Sequence, residues 1–247
     1  MAKTVKPVHN YYNGNKLTPL LRQLTLMAGK VESLLSQTLN ALKTRNINQA
    51  ENVSEHKDGL FTLHQNIHVE AEKLLSNYYF GAHDLRRIIS TIKIASDIER
   101  IGDISANISL RLKTPSCMSA LSTVPGITQL GKQVQQNLIA SIDALIHENP
   151  SKAMQVYNAY DDIDRLRETL EGDVLALMMA EKIDTVTGPD LISIIRYFGR
   201  LAERARNISE KVYYAHMLDH LQKQAPDDNE LQSVKQDIDS FTQKRAV

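Results

Sequence analysis

The 247-residue sequence has no tryptophan, and aromatic side chains make up only 5% of it. That leaves little for a surface that binds single-stranded nucleic acid by stacking bases on rings. Charge of one sign is missing too, since 29 Lys and Arg balance 29 Asp and Glu. Nonspecific nucleic-acid binding needs a basic field to displace counterions from phosphate, so neutrality argues against that class. The single cysteine, Cys117, can form neither an internal disulfide nor a multi-cysteine zinc cluster, which points to a reducing compartment. No uncharged apolar run reaches the roughly 18 residues that a membrane-spanning helix needs. The opening MAKTVKPVHNYYNGNK lacks the apolar stretch of a secretion signal. These absences predict a cytoplasmic protein with no integral membrane segment and no nucleic-acid partner.

What is present is helical rhythm. Leu20, Leu24, Met27, Val31, Leu35, Leu39 and Leu42 recur at three- and four-residue steps and form one stripe, with Thr18 and Pro19 as its expected N-cap and first turn. A second stripe runs through Val53, Leu60, Leu63, Ile67, Ala71, Leu74 and Leu75. A third runs through Leu85, Ile88, Ile92, Ala95, Ile98, Ile101, Ile108 and Leu112. No stretch alternates with period two for long enough to make a strand, so the expected class is all-α.

The segment KTPSCMSALSTVPG (113–126) interrupts the rhythm and reads as a connection; after it the pattern repeats. A shift of 103 carries Leu24, Met27, Val31, Leu35, Leu39 and Leu42 onto Ile127, Leu130, Val134, Leu138, Ile142 and Leu145. The same shift carries Asn46 to Asn149, Leu63 to Leu166 and Ile67 to Leu170. Near the end of each half the shift becomes 100, placing Ile98, Ile101, Asn107, Ile108 and Ser109 on Phe198, Leu201, Asn207, Ile208 and Ser209. One-striped helices of this length must bury the stripe against each other. The expectation is six long helices in two tandem three-helix bundles, at 15–113 and 124–218, then a polar tail at 219–247 with a weak stripe (Leu231, Val234, Ile238, Phe241).

The densest chemistry lies in DLRRIISTIKIASDIERIGDISANIS (84–109). On a helix, Glu99 and Asp103 share a face at i, i+4. Like charges so placed need either a cation between them or a neighbouring Arg, for which Arg86 and Arg100 are at hand. His64 and His68 are also i, i+4, with Glu72 a turn further, and read either as a zinc-binding face or as half-exposed helix surface. Gly126, Gly131 and Lys132 have the spacing of a phosphate-binding loop, but Gln133 replaces the required hydroxyl and no strand precedes it. His147-Glu148 is not the zinc-protease pattern, because Ser151 holds the second histidine position and Pro150 interrupts. Cys117 has no evident base beside it, so no catalytic constellation is found.

Through Asp84, Leu85, Arg86, Asp97, Glu99, Arg100, Ile101, Gly102, Asp103, Asn107 and Ile108, the 84–109 segment resembles the signature of the PhoU family of phosphate-signalling proteins. The second copy, RYFGRLAERARNISEKVYY, is similar to the family's second signature through Arg200, Leu201, Glu203, Asn207, Ile208 and Glu210. The resemblance implies two tandem three-helix bundles. It also implies a non-enzymatic negative regulator, acting by contact with the ATPase subunit of a Pst-type phosphate importer and with a phosphate-sensing histidine kinase. Separately, an exposed flat face of such a bundle leads to the expectation of a homodimer. Arg86, Arg100 and Arg200 are then the expected partner-binding side chains.

Members of this family bind metal clusters through (Glu/Asp)-x-x-x-Asp pairs. The repeat alignment places those pairs at Lys57/Phe61, Glu99/Asp103, Tyr160/Asp164 and Gly199/Glu203. Only Glu99/Asp103 is intact, so the resemblance implies at most a single divalent ion there (Fe, Zn, Ni or Mg), with Asp164 and Glu203 as remnants. Arg204 and Arg206 add positive charge beside the second-half position. The alternative readings are a carboxylate metalloprotein on a helical bundle, or an adaptor of the same fold without a phosphate role.

Overall fold

The computed structural model describes residues 16–55 and 58–223. The first repeat contains α1 (Thr18–Thr44), α2 (Ile47–Glu55), α3 (Asp58–Asn77) and α4 (Ala82–Leu112). A short α5 (Pro115–Ala120) lies in the connection, and the second repeat is α6 (Gly126–Ile146), α7 (Pro150–Met179) and α8 (Thr187–Lys223). Among the described residues there is no strand, and none of the helices is long and apolar enough to cross a membrane. The bundle α1, α3, α4 is thus matched by α6, α7, α8.

Three details depart from expectation. The connection holds helix α5, which buries Cys117 and Met118. Leu17, not Thr18, is the N-cap of α1, and no side chain caps that end. Finally, α8 runs on to Lys223, past the expected boundary at 218; the tail stripe at Leu231, Val234, Ile238 and Phe241 lies outside the described residues.

The repeat extends to the corners between helices. Arg45, the C-cap of α1, sits in the left-handed region (φ 54°), and its counterpart Glu148, one residue past the C-cap of α6, also has a positive φ (48°). An asparagine follows in both cases. The Asn46 side chain accepts from Gln49 N (3.3 Å) and that of Asn149 from Lys152 N (3.0 Å), each satisfying an otherwise orphaned N–H of the next helix.

One hydrophobic core spans both repeats. The α1 stripe is buried throughout, but Leu75 and Leu85 of the other stripes are exposed, while Ile94 and Ile104 of α4 are buried outside the expected stripe. The reason is that α4 packs twice, in its own bundle and against α8. Asp97 meets Arg204 and Arg111 meets Asp190, so α4 and α8 run antiparallel. Gly131 of α6 lies where that helix packs tightly on two neighbours: a Cβ there would stand 2.6 Å from Leu39 Cδ2 and 3.0 Å from Phe198 Cζ. The glycine of the loop-like spacing therefore serves packing between α1, α6 and α8.

Candidate functional site

Two equivalent places, one per repeat, collect the polar side chains singled out by sequence, and their chemistry differs. In the first repeat α3 and α4 bring together His64, His68, Ser96 and Glu99. Nδ1 of His64 lies 2.8 Å from Glu99 Oε2, at an angle that makes the contact electrostatic rather than a formed hydrogen bond. Nε2 of His64 is 3.1 Å from Nε2 of His68 and 3.1 Å from Ser96 Oγ. The Ser96 hydroxyl also has the Ile92 carbonyl within reach at 3.2 Å. Burial, reinforced by the neighbouring His68 and opposed by Glu99, holds the His64 pKa below the usual imidazole range.

The carboxylate at His64 is therefore Glu99, not Glu72, which is exposed. Glu99 is drawn across to α3, while Asp103, half-buried, sits one turn along α4. Phe61, assigned from the alignment to a metal-binding pair, is 58% exposed and does not serve the site; Lys57 lies outside the described residues.

In the second repeat the shift of 103 puts Arg167 in the place of His64 and Glu171 in that of His68. Arg167 Nε donates to Asp164 Oδ1 (2.6 Å) and Nη1 to Glu171 Oε1 (2.8 Å), which raises the guanidinium pKa, chiefly through the Asp164 bond. The counterpart of Glu99 is Gly199, and Arg167 occupies the vacated volume: a Cβ at 199 would stand 2.5 Å from its Cδ. Glu203 accepts from Arg204 Nη2 (3.1 Å). Arg206 lies over the rings of Tyr157 and Tyr160, at 4.2 and 4.7 Å from their centroids. Both second-half carboxylates named from sequence are thus held by guanidinium groups. Among the described residues no three His, Cys, Asp or Glu side chains are arranged to hold a metal ion.

The sequence reading missed the seam between the repeats. Asp97 is only 6% exposed, and it accepts from Lys211 Nζ (2.7 Å) and Arg204 Nη1 (3.2 Å). The signal available was a charged residue inside the α4 periodicity. Beside the seam, Arg86, Ser90 and Lys93 of α4 face Glu210, Lys211 and Tyr214 of α8 across an open groove of about 440 Å³. Arg100 and Arg200, equivalent by the shift of 100, are both exposed, and the Arg200 guanidinium lies 5.8 Å from the Tyr197 ring centroid.

Fold and sites define a tandem-repeat helical protein whose polar features lie on α3/α4, on α7/α8 and along the α4–α8 seam. The family described as "PhoU domain" matches residues 24–112 and 127–212. The chain belongs to the PhoU family.

Its relatives include the Clostridium acetobutylicum protein named phosphate-specific transport system accessory protein PhoU homolog, 26% identical over 80% of this chain and 91% of the relative. The Pseudomonas aeruginosa protein of the same name is 28% identical over 81% and 83%. The crystal structure of PhoU from Pseudomonas aeruginosa matches with a TM-score of 0.74 at 27% identity, covering 81% of this chain and 96% of that one. That of the phosphate transport system regulatory protein PhoU from Streptococcus pneumoniae shares the fold, with a TM-score of 0.75, 23% identity and 81% and 95% coverage.

Proposed function

We propose that this protein is a cytoplasmic, non-enzymatic accessory regulator of a phosphate transport system. It acts by contact with the importer's ATPase subunit and with the phosphate-sensing histidine kinase, and it works as a homodimer. The observation that carries the reading is the match of both repeats to the PhoU domain, together with relatives named as accessory proteins of phosphate-specific transport. A protein without a reaction centre regulates only through differential affinity, binding the quiet state of its partners more tightly than the active one. A tenfold preference corresponds to about 1.4 kcal/mol, which a modest interface supplies. Exposed Arg100 and Arg200, and Arg86 on the basic groove, are available for that interface because none belongs to the core.

Deletion of the gene tests this. Phosphate-starvation genes, read by alkaline phosphatase activity, then run in phosphate-rich medium. The wild-type gene restores repression, and Arg100→Ala restores it incompletely. Unchanged low activity in the deletion strain removes the regulator reading and leaves the adaptor.

A further inference from the structure

The two equivalent places differ in one physical respect: the second repeat carries its own cation there, whereas among the described residues the first carries only imidazoles. The Arg167 guanidinium stands between Asp164 and Glu171, fixed by bonds of 2.6 and 2.8 Å, and leaves no vacancy for an ion. At the same station the first repeat aims two imidazole nitrogens at each other, His64 Nε2 and His68 Nε2, 3.1 Å apart, with the rings nearly perpendicular at 87°.

That spacing has a coordination meaning. Zinc–nitrogen bonds of about 2.0–2.1 Å in tetrahedral geometry put two ligand nitrogens about 3.3 Å apart. The i, i+4 placement on α3 supplies the convergence without a long-range constraint. Glu99 supplies the remaining requirement. Its carboxylate lies against Nδ1, the far nitrogen of His64, which favours the proton on Nδ1 and leaves the Nε2 lone pair available. A small turn of the ring that aims Nδ1–H at the carboxylate would complete the carboxylate–histidine–metal arrangement, with the carboxylate outside the coordination sphere. The Ser96 hydroxyl, now near Nε2, has the Ile92 carbonyl as its alternative acceptor when an ion takes that lone pair.

We propose that His64 and His68 bind one borderline divalent ion, zinc or nickel, through their Nε2 atoms, with Glu99 as the outer carboxylate and solvent completing the sphere. The second repeat binds none, because Arg167 takes the cation's place. Two imidazoles favour zinc and nickel over magnesium, which prefers oxygen donors. This site is distinct from one between Glu99 and Asp103 and is independent of a role in phosphate transport.

Calorimetric titration of the full-length protein with zinc chloride tests it, with visible absorption of added cobalt(II) as a second readout of nitrogen ligation. The expected results are one equivalent bound and at least a tenfold loss of affinity in His68→Ala. Glu99→Gln weakens binding 10- to 100-fold, the range for losing an outer-shell partner, and Asp103→Ala stays near wild type. His68 is only half-buried, so its replacement spares the core, and melting temperatures confirm folding. Should His64→Ala fail to fold, imidazole NMR shifts of the wild type on zinc addition identify the ligands. Unaltered binding in His68→Ala, loss of binding in Asp103→Ala, preference for magnesium, or no saturable zinc binding by the wild type each overturns the proposal.

Discussion

Asp97 of the first repeat and Lys211 of the second are joined by a 2.7 Å contact between Oδ2 and Nζ, and the same carboxylate also accepts from Arg204. A single near-buried anion thus holds two cations of the opposing helix. Removing it leaves Arg204 with Glu203 alone and Lys211 with only the Asn207 carbonyl, and a part-buried charge that loses its counter-ion is costly.

Asp97→Ala is expected to lower stability by about 2 kcal/mol, below the value for a fully buried pair because water reaches part of both cations. Urea denaturation measures it. A double-mutant cycle with Lys211→Met isolates the coupling, and strict additivity would show that the seam contact contributes nothing.

Gly131→Ala tests the close approach of α6 to α1 and α8. Alanine favours a helix, by up to about 1 kcal/mol, but here its methyl meets Leu39 and Phe198 at 2.6 and 3.0 Å. The expected net result is a loss of about 1–2 kcal/mol, since overpacking a dense core costs about 1–3. Gly29, with open space at its Cβ position, is the control, and Gly29→Ala is expected to stabilise.

Burial, aided by the Asp190 charge, pushes the Cys117 thiol up to about 12. Native protein therefore resists iodoacetamide at pH 8, while urea-unfolded protein reacts. The linkage has a definite sign. Above about pH 9 the unfolded thiol ionises and the native one does not, so the unfolded state binds fewer protons and stability falls as pH rises from 9 toward 12. Melting temperatures across that range check it, and Cys117→Ala lacks this part of the decline.

Arg45 adopts φ 54° at the end of α1, a region that penalises any residue with a Cβ. Arg45→Gly is expected to stabilise by about 1 kcal/mol. Asn46→Ala costs about 1 kcal/mol through its lost bond to Gln49 N. Thermal melts of the two single variants decide both signs.

The helical class, the repeat and the α1 face were legible because a one-sided helix writes its burial as period 3.6. Ile94, Asp97 and Ile104 were not, because α4 is covered on two sides and a second buried stripe blurs the first. At the candidate site, i, i+4 spacing found Glu99/Asp103 and His64/His68 separately. That Glu99 reaches His64 depends on how α3 and α4 are phased, which periodicity within one helix does not encode. The Arg167 substitution was hidden for a related reason: its counterpart position carried a histidine, so no like-for-like match drew attention to it.

The antiparallel α4–α8 seam relates the repeats much as a two-fold axis relates the subunits of a dimer. Ile94, Asp97 and Ile104 share the α4 flank that α8 covers. An isolated first repeat would expose that flank, and the cover nearest in shape is the same flank of another copy. A gene fragment ending near residue 113 should accordingly self-associate, with Asp97 lacking both its cations, whereas adding the second fragment should displace the homodimer and restore the native pairing. In the fused chain the two halves can no longer exchange. That permanence allows one half to keep a pair of imidazoles while the other settles on a guanidinium.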